Sequence, residues 1–275
     1  MQNSTNSLIK SSSLIKLSPI ESSPVEWRVN QDGLAQPYST IFQDVYYSSD
    51  NGLLETEHVF LEGNNLTPRW QQLATQTFTI IETGFGTGLN FLCAAQLWLN
   101  HAPKNARLHF ISTEKYPLSL QEITSTLQLW PTLNNLSGQF LAIYKALINS
   151  DKSIWLFDNR VQLTILVGDA TDSLTKITTL ADAWFLDGFS PSKNPDMWQP
   201  ALFAQMARLS NRNTSFATFT SAGMVKRGLQ TAGFHVSKQA GFGKKREMLT
   251  GDFIGESFDE KPVNVKQSIE KPSAN

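Results

Sequence analysis

Thr77-Phe-Thr-Ile-Ile-Glu-Thr-Gly-Phe-Gly-Thr-Gly-Leu-Asn-Phe91 is the stretch that decides the fold. Phe78 to Ile81 reads as a short apolar strand of aromatic and β-branched residues. Gly84, Gly86 and Gly88 follow in alternation, and Leu89, Leu92, Cys93, Trp98 and Leu99 then recur at roughly helical spacing. Strand, glycine turn and helix together have the form of a nucleotide cradle. Glycine lets the backbone turn tightly and approach a ligand with no Cβ in the way. The helix start offers unpaired N–H groups. The dinucleotide fingerprint G-x-G-x-x-G fails here, because its last position falls on Leu89 counted from Gly84 and on Phe91 counted from Gly86. The Gly-Lys-Ser/Thr of a phosphate-binding P-loop is absent. A turn with no ligand is the plain alternative, but three alternating glycines weaken a strand–helix junction unless something must come close.

What stands here is Glu82-x-Gly84-x-Gly86-x-Gly88. An acidic residue two before a G-x-G-x-G turn resembles the first motif of class I S-adenosylmethionine (SAM) methyltransferases. The resemblance implies SAM as cofactor, held by Glu82, Gly84, Phe85, Gly86, Gly88 and Asn90.

The 275 residues suit one large domain, and a hydrophobic share of 40% with 17% charged residues is ordinary for a globular protein. The net charge of −1 gives no global nucleic-acid signature. Its distribution is less even. Lys193 to Thr250 holds nine Lys/Arg against Asp196 and Glu247, a local balance of +7 that suits a polyanion or a merely solvated face. One cysteine, Cys93, excludes an internal disulfide, and no metal-ligand spacing is present. No run approaches a membrane helix. Eight serines and no apolar signal core in residues 1–24 suggest a disordered lead and a cytoplasmic protein.

The remaining chain alternates strands with helices. Leu108 to Ser112 is a strand ending near Glu114, placed to accept hydrogen bonds from both ribose hydroxyls or to pair with Lys115. Leu120, Ile123, Leu127 and Trp130 predict a helix that Pro131 stops. Residues 132–160 give no clear element, and Asn134 to Gly138 reads as loop. Val161 to Val167 is a strand ending in Gly168-Asp-Ala170. Asp169 there serves either the adenine amino group or the cap of a helix carrying Leu174, Ile177 and Leu180. Ala183 to Gly188 is a strand apolar enough for burial on both faces, and it ends at Asp187. Further strands are expected over 214–220, 233–237 and 247–251, and helices around Leu202–Leu209 and Ala222–Ala232. This order predicts an α/β fold with a mostly parallel sheet, helices on both faces and a terminal antiparallel pair, which resembles the seven-stranded layout of the class I SAM-methyltransferase (Rossmann-like) fold. The domain is expected over 25–255, between disordered segments 1–24 and 256–275.

A narrower resemblance rests on many motifs in order: Glu57-His-Val-Phe-Leu61, Arg69-Trp70, Gly84-Phe-Gly-Thr-Gly-Leu-Asn-Phe91, Glu114-Lys115, Asp182-Ala-Trp-Phe-Leu-Asp-Gly-Phe189, Pro191-x-Lys-Asn-Pro-Asp-Met-Trp198 and Gly241-Phe-Gly-Lys-Lys-Arg-Glu-Met248. Together, over roughly residues 25–255, they resemble the methyltransferase part of the MnmC family of bacterial tRNA-modifying enzymes. The resemblance implies SAM-dependent N-methylation of 5-aminomethyl-2-thiouridine at tRNA wobble position 34. The other reading kept open is methylation of a small-molecule amine. Many family members carry a second, FAD-dependent oxidoreductase domain. This chain ends about 25 residues after Gly251 with no flavin fingerprint, so a stand-alone, separated or shortened form is expected, with a separate oxidoreductase acting upstream.

In this reading Asp187 orients the acceptor amine and takes its proton, or else simply caps the turn at Gly188-Phe189. Lys115, Asp169, Ala170 and Asp187 join the cofactor contacts. Phe189 and Trp198 stack on the base, or simply pack their loop. Lys193 meets phosphate or a base edge, while Lys226, Arg227, Lys244, Lys245 and Arg246 hold the anticodon-arm backbone. His58 is a weak further site residue, and no metal is expected.

Overall fold

The computed structural model describes residues 25–29, 33, 35–47, 51–150 and 152–255. The expected lead 1–24 and tail 256–275 lie outside them.

Among the described residues eight strands form the main sheet, in the order β10-β11-β9-β8-β4-β5-β7-β6. They are β4 (Thr77–Thr83), β5 (Arg107–Glu114), β6 (Ile154–Leu156), β7 (Val161–Val167), β8 (Ala181–Leu186), β9 (Ser210–Thr218), β10 (Phe234–Ala240) and β11 (Glu247–Phe253). The five strands from β9 to β7 run parallel, whereas β11 is antiparallel to both β9 and β10, and β6 is antiparallel to β7. The predicted terminal antiparallel pair is therefore present, but its last strand lies inside the sheet and β10 forms the edge. The eighth strand is β6, from the stretch that gave no clear element. A separate small antiparallel sheet joins β1 (Val25–Val29), β2 (Ala35–Ser39) and β3 (Asp44–Val45).

Alternation along the strands explains the two cores. Ile80, Phe110 and Phe185 point into one, with Trp70, Phe91, Trp98, Phe140 and Tyr144. Ile81, Ile111, Trp184 and Leu186 point into the other, with Leu174, Phe203, Met206 and Leu229. The first core is covered by α2 (Leu66–Gln71), α3 (Leu89–His101) and α5 (Asn134–Ile148). The second is covered by α6 (Ala170–Thr175), α7 (Pro200–Arg208) and α8 (Gly223–Thr231). The remaining helices among the described residues are α1 (Gly52–Thr56), which runs into a π-helical stretch Glu57–Glu62, α4 (Leu120–Leu127) and a 3-10 turn at Pro131–Leu133.

Two expectations fail for physical reasons. Asn134 to Gly138 opens α5 rather than a loop, because Phe140, Tyr144 and Leu147 bury one helical face and tertiary packing overrides weak propensity. The helix after Asp169 stops at Thr175, so Leu180 lies beyond it and is exposed.

The chain fills β4, β5 and β7 on one side, then returns to place β8 beside β4 on the other. The crevice above the carboxyl ends of β4 and β8 is the topological switch point, where open α/β sheets bind ligands.

Candidate active site

Two cavities open at this switch point, about 280 Å³ and about 320 Å³ in volume. They share Val45, Tyr46, Gly86, Asp187 and Gly188, so Asp187 stands where one meets the other.

The first cavity is lined by Gly84, Thr113, Glu114, Lys115, Asp169, Ala170, Phe189 and Met197. Its floor is the glycine turn. Gly84 has φ +105°, and a Cβ there would sit 3.1 Å from the Gly188 Cα, so glycine lets the β4 and β8 ends close together. Gly86 has φ +52°, and a Cβ there would enter the space beside the Tyr46 ring. The Gly86 N–H donates to Glu114 Oε2 at 2.8 Å, and the Tyr116 N–H donates to Oε1 at 2.9 Å. Burial pushes the Glu114 carboxyl up, against the pull of backbone donors led by Gly86. Each carboxylate oxygen retains acceptor capacity for a hydroxyl. Thr113 Oγ1, also in this wall, is buried without a hydrogen-bond partner among the described residues. Asp169 accepts from the Thr171 N–H at 3.0 Å as the cap of α6, and Lys115 Nζ lies 3.4 Å from its other oxygen. The cap is thus made, and the adenine role rests on the remaining acceptor capacity. An adenosyl group with an amino-acid tail fits this set: a close-approach turn, a carboxylate at the second strand end and a capped third strand end.

The second cavity is lined by Asp44, Tyr47, Glu55, Thr56, Phe60, Phe85, Asn90, Phe219, Lys244 and Lys245. Asn90 organises its inner end. Its amide nitrogen donates to Glu82 Oε1 at 2.9 Å and to Asp187 Oδ2 at 2.6 Å, while its oxygen accepts from Thr56 Oγ1 at 2.8 Å. The Gly188 N–H donates to Asp187 Oδ1 at 2.8 Å. Burial raises the Asp187 carboxyl to about 7, partly offset by the bonds from Gly188 and Asn90. Glu82 also accepts from Ser112 Oγ at 2.6 Å, and complete burial pushes its carboxyl well above the ordinary range.

Several expected site residues stand elsewhere. Glu82 lines neither cavity; it holds Asn90 from beneath the floor. Gly88 also lines neither, and its φ of +75° serves the start of α3. Trp198 is fully buried and donates from its indole N–H to the Phe189 carbonyl at 3.0 Å, so it packs the loop and offers no face to a base. Phe189 faces the first cavity and stacks on Phe42, with ring centroids 4.5 Å apart. Phe85 and Asn90 line the second cavity, not the first. Lys193 is exposed on its loop, and Lys226 and Arg227 sit on α8 outside both cavities. Lys245 and Arg246 line a neighbouring hollow that meets the second cavity at Ser190 and Phe219. His58 bonds the Ala240 carbonyl and lies outside the cavities.

Glu55, Thr56, Asp44 and Phe219 were not singled out by the sequence. The segment before β4 mixes aromatic and polar residues, and its members Tyr46, Tyr47, Glu55 and Phe60 line the site. Among the described residues no helix is long and apolar enough to cross a membrane.

Residues 131–253 match the family described as S-adenosyl-L-methionine-dependent methyltransferase. The chain is 51% identical over 249 residues to a tRNA 5-methylaminomethyl-2-thiouridine biosynthesis bifunctional protein MnmC of Methylobacillus flagellatus, covering 90% of this chain and 37% of that protein. With the protein of the same name from Chromobacterium violaceum it shares 54% over 222 residues, covering 80% and 33%. The chain thus spans about a third of the length of these curated relatives. The crystal structure of MNMC2 from Aquifex aeolicus superposes with a TM-score of 0.66 at 22% identity, over 86% of this chain and 73% of that one, which shows a shared fold. The chain is thus similar to the MnmC proteins over the third of their length that it spans, and its residues 131–253 match the S-adenosyl-L-methionine-dependent methyltransferase family.

Proposed function

We propose that this chain N-methylates 5-aminomethyl-2-thiouridine at wobble position 34 of tRNA, giving 5-methylaminomethyl-2-thiouridine, with residues 25–255 as the methyltransferase domain. The supporting observation is the meeting of two cavities at Asp187, one suited to SAM and one lined by acidic and aromatic side chains. The name of the MnmC relatives gives the nucleoside formed, 5-methylaminomethyl-2-thiouridine in tRNA, and its unmethylated precursor is the substrate this reading takes.

SAM, when bound, supplies a methyl group on a positively charged sulfur. Gly84, Gly86, Glu114, Lys115, Asp169 and Ala170 would hold it, and Asp187 borders it. The acceptor amine has an ordinary pKa near that of lysine, about 10, and its ammonium form has no lone pair. An amine that enters as an ammonium must therefore give up a proton within the site before it attacks. Asp187 Oδ2 and Oδ1 are fixed by Asn90 and Gly188, which aims the carboxylate at the shared wall. A carboxyl poised at about 7 exchanges a proton readily at neutral pH, so Asp187 takes the proton the amine releases. Bringing amine and donor together where the two cavities meet at Asp187 would supply the alignment that displacement needs. Lys244, Lys245 and Arg246, at the mouth, would bind backbone phosphates of the anticodon arm.

A tRNA substrate implies a cytoplasmic protein. Removal of a carboxymethyl group, where the substrate carries one, falls to a separate FAD-dependent oxidoreductase. The test is transfer of label from SAM to tRNA that carries the aminomethyl group.

A further inference from the structure

The second cavity already holds an alkylammonium, and it belongs to the protein. Lys245 Nζ donates to Glu55 Oε1 at 2.8 Å and lies 4.3 Å from the centroid of the Phe219 ring. A carboxylate on one side and an aromatic face on the other is the chemistry that recognises an alkylammonium. The two partners are unequally placed. The Glu55 side chain is 9% exposed, whereas that of Lys245 is 42% exposed, so the anion is built into the wall and the cation reaches in from the mouth. Glu55 sits at the end of α1, where the helix widens into the π-helical stretch. Asn51 caps α1 by accepting from the Leu53 and Leu54 N–H groups. Lys245 rides instead on the short connection between β10 and β11, closed by the Gly241 N–H donating to the Arg246 carbonyl at 3.2 Å. Four carbons and an ammonium on such a connection can leave; the capped helix cannot.

We propose that Glu55 and Phe219 form the ammonium subsite for the acceptor amine, that Lys245 occupies it in the free protein, and that the acceptor displaces Lys245 toward the nucleic-acid backbone. This rests on the reading of the second cavity as the acceptor site. The exchange is charge-neutral for Glu55, so the wall carboxylate keeps a cationic partner throughout. It also makes entry selective. A ligand must bring both an ammonium for Glu55 and a phosphate for Lys245, which a free small amine does not.

The test compares two tRNAs bound to the full chain with S-adenosylhomocysteine in place of SAM. One carries 5-aminomethyl-2-thiouridine at position 34, the other 2-thiouridine there. Wild type should prefer the first. Glu55→Gln should lose that preference, a change of about tenfold or more, while keeping S-adenosylhomocysteine affinity as the check on folding. Phe219→Leu should lose part of it. Lys245→Met should keep the preference while binding both tRNAs more weakly. A Glu55→Gln protein that folds and still discriminates like wild type overturns the subsite. So does Lys245→Met abolishing the preference, since the ammonium would then be recognised through Lys245. If wild type itself neither methylates nor prefers the aminomethyl tRNA, it is the functional reading that fails, not the subsite assignment alone.

Discussion

The Asn90 amide nitrogen lies 2.6 Å from Asp187 Oδ2, and this bond ties the first turn of α3 to the end of β8 across the switch point. Asn90 spends its other donor on Glu82 and its oxygen on Thr56. Asn90→Ala should therefore strand two buried carboxyl groups and a hydroxyl. We expect a stability loss of about 1–3 kcal/mol and a larger fall in kcat than in SAM affinity. Chemical denaturation and single-turnover rates measure the two separately. Equal loss of kcat and SAM binding would mean that Asn90 serves the cofactor directly.

Asp187 gives a pH signature. Its carboxyl is raised to about 7, so the carboxylate that accepts a proton accumulates only as pH rises through that value. The kcat/KM profile should climb with unit slope below about 7 and bend there, and the residual rate of Asp187→Asn should lack that limb. The same shift acts on folding with the opposite sense. The folded state binds this proton more tightly than the unfolded chain, so the contribution of Asp187 to stability is full below about 4 and is lost as pH rises toward 7. Asp187→Asn should be more stable than wild type at pH 8 relative to pH 4, as thermal melts across that range will report.

Gly84→Ala places a methyl 3.1 Å from the Gly188 Cα on a backbone with φ of +105°. The β4 and β8 ends must part, and the cavity floor moves with them. SAM affinity measured by calorimetry should drop by about tenfold or more, from about 1–3 kcal/mol of local strain. Affinity within twofold of wild type would show that this turn does not carry the cofactor.

Lys244 and Lys245 line the second cavity and Arg246 the hollow next to it, all three exposed, whereas Lys226 and Arg227 lie on α8 apart from both. Replacing the first three by Ala should reduce the slope of log affinity against log salt by about 0.7 for each phosphate released. Replacing the second pair tests how far the nucleic acid extends. A triple variant with the wild-type slope would remove this edge from the interface.

Trp198 separates packing from stacking. Its ring is fully buried. Trp198→Ala should cost about 3–5 kcal/mol of stability, while Trp198→Phe, if folded, should leave tRNA affinity unchanged. A selective loss of tRNA binding in Trp198→Phe would return this side chain to the substrate.

The parallel core was legible because its strands are long, apolar and separated by periodic helices. Val161–Val167 is found with the predicted bounds. The glycine turn was legible because φ near +105° and +52° at Gly84 and Gly86 demand residues without a Cβ. The stretch 132–160 was not, because Asn134, Asn135 and Gly138 mask a helix that Phe140 and Tyr144 secure only by tertiary packing. In the site, Asp187 was readable from its place after a buried strand. Glu55 was not. It lies 190 residues from Lys245 in sequence, and only the folded chain brings that pair to one cavity. Glu82 was readable as important, but its direction beneath the floor, where Asn90 and Ser112 bond it, depends on the pleat of β4.

The central claim is tested most directly by incubating the protein with methyl-labelled SAM and tRNA that carries 5-aminomethyl-2-thiouridine, then digesting to nucleosides. The predicted result is label in nucleoside 34 as 5-methylaminomethyl-2-thiouridine, strongly reduced in Asp187→Asn. A protein that binds SAM yet leaves nucleoside 34 unlabelled would contradict it.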